Sequence, residues 1–264
     1  MKIGIDFGIT HTDVVKVSSD EISFHSAPSP LIQGSIEKVI HSFEISDEIE
    51  AIFVTGGKSS DLPKTFNGLP VSHKNEIDSI ALGAKQLYDL KESALIVSTG
   101  TGTACVHFDG KNGNHLGGIA VGGGMLCGLG NLLFNNGDAL EIDEFAEKGD
   151  KSKIDFSIGD VVNKIGNLSP EITAANFGKA VNSESATMEN VAASLCNMIG
   201  EVIGTIAYLN AFILGLDKVY FVGRTSLLKN VQGGINERLQ LAGIQGEYNN
   251  KGGYANALGC IEDV

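Results

Sequence analysis

The sequence is poor in the residues that build disulfide frameworks and metal clusters. Its four cysteines, Cys105, Cys127, Cys196 and Cys260, lie far apart and form no CxxC pair. The six histidines show no HxxxH spacing either. This distribution is typical of reduced thiols in a cytosolic protein and argues against a zinc site.

Positive charge is also scarce. The chain has 19 Lys and Arg against 32 Asp and Glu, a net charge of −13, and no basic patch. Such a surface repels nucleic acid and anionic membranes, so we predict neither as a partner. The chain opens directly on a strand pattern without a basic, apolar leader, which predicts a cytoplasmic protein. An anionic substrate would need help from a cation or from backbone amides.

Glycine, by contrast, is abundant. The chain has 34 glycines, well above the usual share of about 7%. Because 42% of the residues are hydrophobic, the excess indicates tight strand-to-helix turns rather than a disordered or collagen-like chain. A length of 264 residues allows one large domain or two lobes, and no Pro/Ser-rich linker or low-complexity tract separates them.

The densest glycine stretch is Ser98–Ala104, which reads STGTGTA. An apolar run, residues 94–97, leads directly into it, so the glycines lie at the end of a predicted buried strand. Glycine permits positive φ and close backbone approach, and the free amides of such a turn can cradle phosphate oxygens. Taken alone, the same residues could form an ordinary hairpin turn.

The apolar pattern predicts two halves of similar layout. Residues 1–26 predict an antiparallel meander of three strands, and residues 94–120 predict a second one. The turn within Gly4–Thr10 corresponds to the turn within Val97–Thr103, and a Gly223-Arg224 turn follows a later strand. Two such turns facing each other would hold a polyphosphate between two lobes.

Three predicted helices bear on the fold and on the site. Asn75 is a predicted N-cap, with an apolar stripe behind it, so Glu76 falls in the first helical turn. Residues 59–66 also predict a helix. Ser185 is the predicted cap of a long helix to about Leu214, whose nearly all-round apolar character indicates a buried core helix; polar residues within it argue against a membrane span.

With these motifs in view, the sequence resembles the type II pantothenate kinases of the actin/hexokinase/Hsp70-like kinase superfamily. The resemblance runs over most of the chain and is carried by Glu76, Gly100–Thr103, Gly117–Met125 with Gly128-Leu129-Gly130, Lys148-Gly149-Asp150 and Thr173–Gly178. It implies an α/β, two-lobed actin-like ATPase fold made of duplicated ribonuclease-H-like mixed sheets with flanking helices. One lobe would span residues 1–92, with the first phosphate loop and the catalytic glutamate. The other would span 93–264, with the second phosphate loop and the adenosine site.

The resemblance also implies a function. It predicts ATP-dependent phosphorylation of the primary hydroxyl of pantothenate, the first step of coenzyme A biosynthesis. ATP and Mg²⁺ would be the cofactors, CoA or acyl-CoA would be candidate regulators, and the protein would be a homodimer to which the helix over 185–214 contributes.

Individual roles follow from the resemblance, position by position. Glu76 would be the general base, and Asp6 would organise Mg²⁺ indirectly. ATP and its phosphates would be bound by Asp6, Gly8, Thr10, Gly100, Thr101, Gly102, Thr103, Gly122, Gly123, Gly124, Gly223 and Arg224. The acid substrate would be bound by Thr101, His115 and Ala175. From the residues alone, Glu76 could merely complement the helix dipole, Asp6 could be a strand-end carboxylate, and Arg224 could be a surface charge.

Three residues depart from the family pattern. The family usually has glycine where this chain has Ile9, lysine where it has Asp13, and arginine where it has His115. A β-branched residue tolerates positive φ poorly, Asp13 adds negative charge beside the phosphates, and histidine cannot form arginine's bidentate fork.

These departures leave two alternatives open. His115 favours a kinase of the same fold that acts on another small hydroxyl substrate. Ile9 and Asp13 favour a non-catalytic regulator that binds a nucleotide or acyl-CoA, although the retained Glu76 argues against it. A reductive activase is disfavoured, because no closely spaced cysteines exist to hold its cluster.

Overall fold

The computed structural model describes residues 1–19, 21–32, 34–45, 49–57, 59–162, 169–182 and 184–261. Its strands are β1 (Lys2–Phe7), β2 (His11–Val17), β3 (Ile22–Pro28), β4 (Ala51–Thr55), β5 (Thr65–Phe66), β6 (Leu69–His73), β7 (Ala94–Thr99), β8 (Thr103–Phe108), β9 (Gly113–Ile119), β10 (Phe156–Ser157), β11 (Thr173–Ala175), β12 (Lys218–Val222) and β13 (Gln245–Tyr248). Its α-helices are α1 (Ser29–Ile32), α2 (Ile36–Ser42), α3 (Glu76–Tyr88), α4 (Gly123–Phe134), α5 (Ala139–Ala146), α6 (Ile158–Val161), α7 (Met188–Leu214), α8 (Lys229–Leu241) and α9 (Ala255–Gly259). Short 3-10 helices lie at Ser59–Asp61, Lys151–Lys153, Ala180–Asn182, Thr225–Leu227 and Gly252–Tyr254.

The two main sheets repeat one plan. The first has the order β3-β2-β1-β4-β6-β5, and the second has the order β13-β12-β7-β8-β9. In each, three antiparallel strands are followed by a strand that pairs parallel to the first of them, β4 beside β1 and β12 beside β7. The β1–β2 and β7–β8 turns are therefore equivalent. The predicted two-lobed α/β fold with duplicated mixed sheets is confirmed.

Two of the helices that cover the sheets, α3 and α9, each pack on the sheet of the other half of the chain. One face of the first sheet packs on α1 and α2, and its other face contacts α9, where Ala257 and Ile261 meet Val15 and Phe53. The second sheet is covered by α7 and α8 on one face and by α3 on the other. The helix that follows the first sheet thus packs on the second sheet, and α9 packs on the first. The lobe boundary after residue 92 stays a prediction.

The two exchanged helices cross at glycines. A Cβ on Gly83 would lie 1.8 Å from the carbonyl oxygen of Ala255, and a Cβ on Gly259 would lie 2.0 Å from that of Ser79. Because real side chains cannot occupy such positions, α3 and α9 approach this closely only with glycine at both sites.

The long helix α7 is the core of the second half. Its side chains at Leu195, Ile199 and Ile203 are fully buried. The helix is long and apolar enough to cross a membrane by length and composition, but 61% of its most apolar window is buried inside the protein. The predicted cap at Ser185 was wrong, because Thr187 caps the helix and accepts a hydrogen bond from the amide of Asn190 at 3.3 Å. The predicted helix over 59–66 was also wrong, since a single 3-10 turn and β5 occupy this stretch.

Candidate active site

The two equivalent turns face each other across the cleft between the sheets. The hydroxyl oxygens of Thr10 and Thr101 lie 3.2 Å apart. On the first side, the hydroxyl of Ser29 donates to the carbonyl of Gly8 at 2.7 Å and braces that turn. The structure therefore brings together the first predicted loop, residues 8–10, and the second, residues 100–103.

The first loop requires glycine at position 8 but not at position 9. A Cβ on Gly8 would lie 2.6 Å from the carbonyl oxygen of His11. Ile9 is not among the described non-glycine residues with left-handed backbone, and its side chain is 78% exposed. A β-branched side chain is therefore accommodated at this position without backbone strain.

The second loop rests on the N-terminus of α4. The amide of Gly123 donates to the carbonyl of Gly100 at 2.8 Å, and the amide of Gly124 donates to that of Thr101 at 2.9 Å. A Cβ on Gly122 would lie 2.9 Å from the carbonyl oxygens of residues 100, 101 and 102. The glycines at 122–124 thus permit close packing, and two of their amides hold the second loop in shape.

A third turn closes over the same loop. Gly223, at the end of β12, has a φ of 89°, and a Cβ there would lie 2.4 Å from the carbonyl oxygen of Thr99. The hydroxyl of Thr225 donates to the carbonyl of Gly100 at 2.9 Å. Thr103 is buried and donates to the carbonyl of Val121 at 2.7 Å. These contacts make the second loop a rigid part of the second lobe.

Asp6 is the buried carboxylate at the floor of the cleft. It lies at the end of β1, directly opposite Asp13 in the antiparallel pair, and is only 8% exposed. Burial, followed by the negative charges of Asp13 and Glu76, raises the pKa of the Asp6 carboxyl to about 7. Its Oδ1 atom has no hydrogen-bond partner among the described residues.

Glu76 is the first residue of α3 and is exposed. The predicted cap is confirmed: the side chain of Asn75 accepts from the amide of Ile77 at 2.8 Å. The buried hydroxyl of Ser79 donates to Thr55 at 3.0 Å and fixes the start of α3 to the end of β4. Glu76 therefore lies on a rigid element, close enough for its charge to raise the pKa of Asp6.

The surroundings of Asp6 fit a magnesium ion. Among the described residues, no group of three or more His, Cys, Asp or Glu could hold a metal. Mg²⁺ is usually bound by one or two carboxylates together with waters and substrate phosphates. The buried, unpartnered Oδ1 atom of Asp6 suits the role of such a carboxylate ligand. Gly56 leaves space beside this oxygen, since a Cβ on Gly56 would lie 2.5 Å from it.

Arg224 binds Asp13 rather than pointing freely into the cleft. Its Nη1 donates to Oδ2 of Asp13 at 2.9 Å, and its Nη2 donates to Oδ1. Nη2 also donates to the hydroxyl of Ser26 at 2.8 Å. Sequence reasoning missed this pair, although an aspartate at a position that is usually lysine was a signal that its surroundings had changed.

The predicted acid-binding residues lie on different elements. His115 is exposed on β9, opposite Val106. Ala175 is exposed at the end of β11, in a hairpin with β10. That hairpin is held against α7 and α8, where the Asn176 side chain donates to Glu201 at 3.0 Å. Roles for Thr101, His115 and Ala175 in binding the acid stay predictions.

A groove runs from the second loop along α4. It has a volume of about 620 Å³ and is mainly apolar, lined by Thr101, Gly102, Ala120, Gly124, Met125, Gly128, Leu129 and Leu132. The groove is shallow and largely open to solvent, unlike the enclosed pockets that bury most of a small ligand. Its position beside Thr101 makes it a candidate site for the acceptor molecule.

A buried polar cluster holds the β10–β11 hairpin, and sequence reasoning missed it. Asp155 accepts hydrogen bonds from the hydroxyl of Ser194 and from the amide of Phe177. Burial raises the pKa of the Asp155 carboxyl. Glu201, also buried, pairs with Arg238 at 2.9 Å. The cluster fixes the 173–178 motif on the core helix.

Comparison with known proteins agrees with this arrangement. A family model described as Fumble matches residues 92–233, more than half of the chain. The type II pantothenate kinase of Staphylococcus epidermidis (strain ATCC 12228) is 30% identical over 272 residues, covering 99% of both chains. That of Staphylococcus aureus (strain USA300) is 28% identical over 273 residues, covering 99% of this chain and 98% of the relative.

Solved structures at lower identity share the fold. The activator of 2-hydroxyisocaproyl-CoA dehydratase from Clostridium difficile, with bound ADPNP, is 15% identical, with a TM-score of 0.68 over 98% of this chain and 92% of the other. A ROK family glucokinase from Streptomyces griseus, in complex with glucose and AMPPNP, is 14% identical, with a TM-score of 0.63 over 98% and 97%. The full-length similarity to the staphylococcal enzymes goes further than shared fold. The chain belongs to the type II pantothenate kinase family.

Proposed function

We propose that the protein transfers the γ-phosphoryl group of ATP to the primary hydroxyl of pantothenate, the first step of coenzyme A biosynthesis. The observation that carries the proposal is the full-length similarity to type II pantothenate kinases. It is supported by a cleft in which two equivalent loops, Asp6 and Glu76 come together. ATP use is further supported by fold relatives solved with ATP analogues.

The proposed chemistry needs positioning and charge neutralisation more than covalent catalysis. The loops at residues 8–10 and 100–103 would hold the phosphates from both sides through backbone amides and threonine hydroxyls. Mg²⁺, when bound near Asp6, supplies positive charge to the phosphate oxygens. Glu76 would accept the proton of the attacking hydroxyl, and its exposed position at the start of α3 leaves it accessible to the acceptor.

The acceptor would lie between Glu76 and the groove beside the second loop. Thr101 lines that groove and faces Thr10, so it can contact both the acceptor and the phosphates. His115 and Ala175 remain the proposed partners of the rest of the acid. Because His115 replaces an arginine, its interaction with a carboxylate would be weaker and less directional.

The test is ATP consumption measured with pantothenate, pantetheine and a panel of sugars. We expect turnover with pantothenate and its loss in Glu76→Gln. Turnover with pantetheine or a sugar alone would indicate a kinase of the same fold with another substrate. Tight binding of nucleotide or CoA without any turnover would indicate a regulator. Addition of CoA or acetyl-CoA to the same assay tests whether they inhibit.

A homodimer in the cytoplasm completes the proposal. The C-terminal part of α7 carries an exposed apolar stripe, formed by Val202, Leu209, Phe212 and Ile213. Apolar stripes on an otherwise acidic surface are typical of subunit contacts. The four cysteines are free thiols, which supports a reducing compartment.

A further inference from the structure

The ion pair between Asp13 and Arg224 joins the two halves of the protein. Asp13 belongs to β2 in the first sheet, whereas Arg224 follows β12 in the second. The guanidinium forms two hydrogen bonds with the carboxylate, and a third with Ser26 on β3. Each of these bonds crosses the cleft between the sheets.

The pair is built into its surroundings rather than lying loosely on the surface. The Asp13 side chain is 5% exposed. The guanidinium of Arg224 lies over the ring of Tyr254, 5.5 Å from its centroid. A Cβ on Gly253 would lie 2.9 Å from Cγ of Arg224, so glycine leaves the space that the arginine occupies. A planar, bidentate and stacked arginine has a well-defined orientation.

The pair also lies next to both loops. Asp13 is directly opposite Asp6 in the β1–β2 register, and β2 begins immediately after the first loop. Arg224 follows Gly223, which packs against Thr99 at the start of the second loop. The contact between Thr10 and Thr101 is another link across the same cleft.

Charge gives the pair a further consequence. Asp6, Asp13 and Glu76 place three carboxylates around the position proposed for the ATP phosphates, and the Arg224 fork neutralises one of them. Without the fork, Asp13 would repel the phosphates and also Asp6. A lysine at position 13 would instead bring two positive charges together, because it would face the arginine.

We propose that Asp13 and Arg224 form an interlobe clasp that sets the separation of the two loops and thereby the affinity for nucleotide. Both are positioning residues: they act through the loops and do not touch the reacting atoms. The proposal rests on the proposed function only in taking the loops as the ATP site.

The test is a double-mutant cycle read out as the Kd of a non-hydrolysable ATP analogue with Mg²⁺, measured by calorimetry without pantothenate. Arg224→Gln should weaken binding about 5- to 150-fold, the usual range of coupling between sites. Asp13→Asn should weaken it less, because it breaks the same pair but also removes a negative charge beside the phosphates. The double variant should be no weaker than the worse single variant, because both changes remove the same pair. Arg224→Lys should weaken nucleotide binding less than Arg224→Gln does, since lysine keeps the positive charge and loses the bidentate hydrogen bonds.

Controls separate positioning from folding. Lys91→Gln removes an exposed ion pair with Asp89 and should leave Kd unchanged. All variants are compared at a temperature where circular dichroism finds them folded. In the unliganded protein, small-angle X-ray scattering should give a larger radius of gyration for Asp13→Asn and Arg224→Gln than for the parent.

Several outcomes would overturn the clasp. One is a Kd of Arg224→Gln within two-fold of the parent. The others are additive losses in the double variant, an unchanged radius of gyration, or a parent protein that does not bind the analogue. In turnover assays the clasp variants should raise KM for ATP more than they lower kcat. Non-additive Kd values in a protein that does not phosphorylate pantothenate would refute the proposed acceptor and leave the clasp intact.

Discussion

At the scale of single residues, Asp6 combines deep burial with an oxygen that has no partner among the described residues. Its carboxyl has a pKa of about 7, against 3.8 for an ordinary aspartate. Between these values the folded protein holds a proton that the unfolded chain releases, so the free energy of unfolding falls as the pH rises from about 4 to 7. The two pKa values correspond to a loss of about 4 kcal/mol at most.

This behaviour can be measured on metal-free protein. We expect Asp6→Asn to unfold at a higher temperature than the parent at pH 8 in EDTA, and to show a flatter dependence of stability on pH. Thermal unfolding followed by circular dichroism at pH 4.5, 6 and 8 would provide the comparison. Parallel dependences of stability on pH for the two proteins would contradict the raised pKa of the Asp6 carboxyl.

Glu76 gives the second residue-scale prediction. Glu76→Gln should lower kcat about 10²- to 10⁴-fold, the usual contribution of a general base, with little change in the affinity for ATP. The matched control is Glu92→Gln, which neutralises an exposed acid shortly after the same helix. Equal activity of the two variants would show that Glu76 is not the general base, and that it only complements the dipole of α3 at the N-terminus of the helix.

Single residues also show where sequence reasoning stops. The N-cap at Asn75 was predictable because capping depends on local chain chemistry. The Asp13–Arg224 pair joins residues 211 positions apart, and no local sequence pattern predicts it. The same holds for Asp155 and Glu201, which acquire their partners only when α7, α8 and the hairpin pack together.

At the scale of elements, two adjacent glycines in α8 distinguish the effect of helix propensity on stability from the effect of packing against α7. A Cβ on Gly234 would lie 2.7 Å from the carbonyl oxygen of Asn197 on α7, whereas nothing lies within 4 Å of one on Gly233. Gly233→Ala should therefore stabilise the protein by about 0.5–1 kcal/mol through helix propensity. Gly234→Ala should destabilise it by about 1–3 kcal/mol through overpacking.

Each of these variants is the control for the other, since the substitution and the helix are the same. Thermal or urea unfolding would give both values. Stabilisation by both substitutions would show that α7 and α8 are farther apart at Gly234 than described.

Elements set by local sequence pattern were predictable, whereas those decided by contacts with distant residues were not. The meanders over residues 1–26 and 94–120 followed from the strand patterns, and β12 is the strand that precedes the predicted Gly223-Arg224 turn. The helix predicted over 59–66 failed, because β5 pairs with β6 and overrides local preference there. Ser185 and Thr187 are both good caps, and only the structure distinguishes them.

At the scale of the whole molecule, the exposed stripe on α7 predicts how two copies associate. Ile213 is 81% exposed, and Ile213→Glu should place a charge in the proposed interface and shift the protein from a dimer to a 27.7 kDa monomer. Sedimentation velocity at micromolar concentration would measure this. Leu31→Glu, which charges an exposed leucine on α1, should leave the mass unchanged. A parent protein that sediments as a monomer would contradict the proposed dimer.

The overall architecture was largely predictable, because the two halves repeat one order of strands and turns and resemble a known superfamily. The exchange of α3 and α9 was not predicted, since an amphipathic helix can cover either sheet equally well by pattern alone.

The packing of α9 on the first sheet determines the order in which the two halves can fold during synthesis. The strands of the first sheet are made early, but one of their faces, with Val15 and Phe53, stays exposed to water until residues 255–261 have been made. The second sheet receives α3 from the part of the chain that precedes it and can be covered sooner. The half of the protein that is translated first is therefore completed last, and a ribosome that stalls late would leave an N-terminal half with an open apolar face as a substrate for chaperones and proteases.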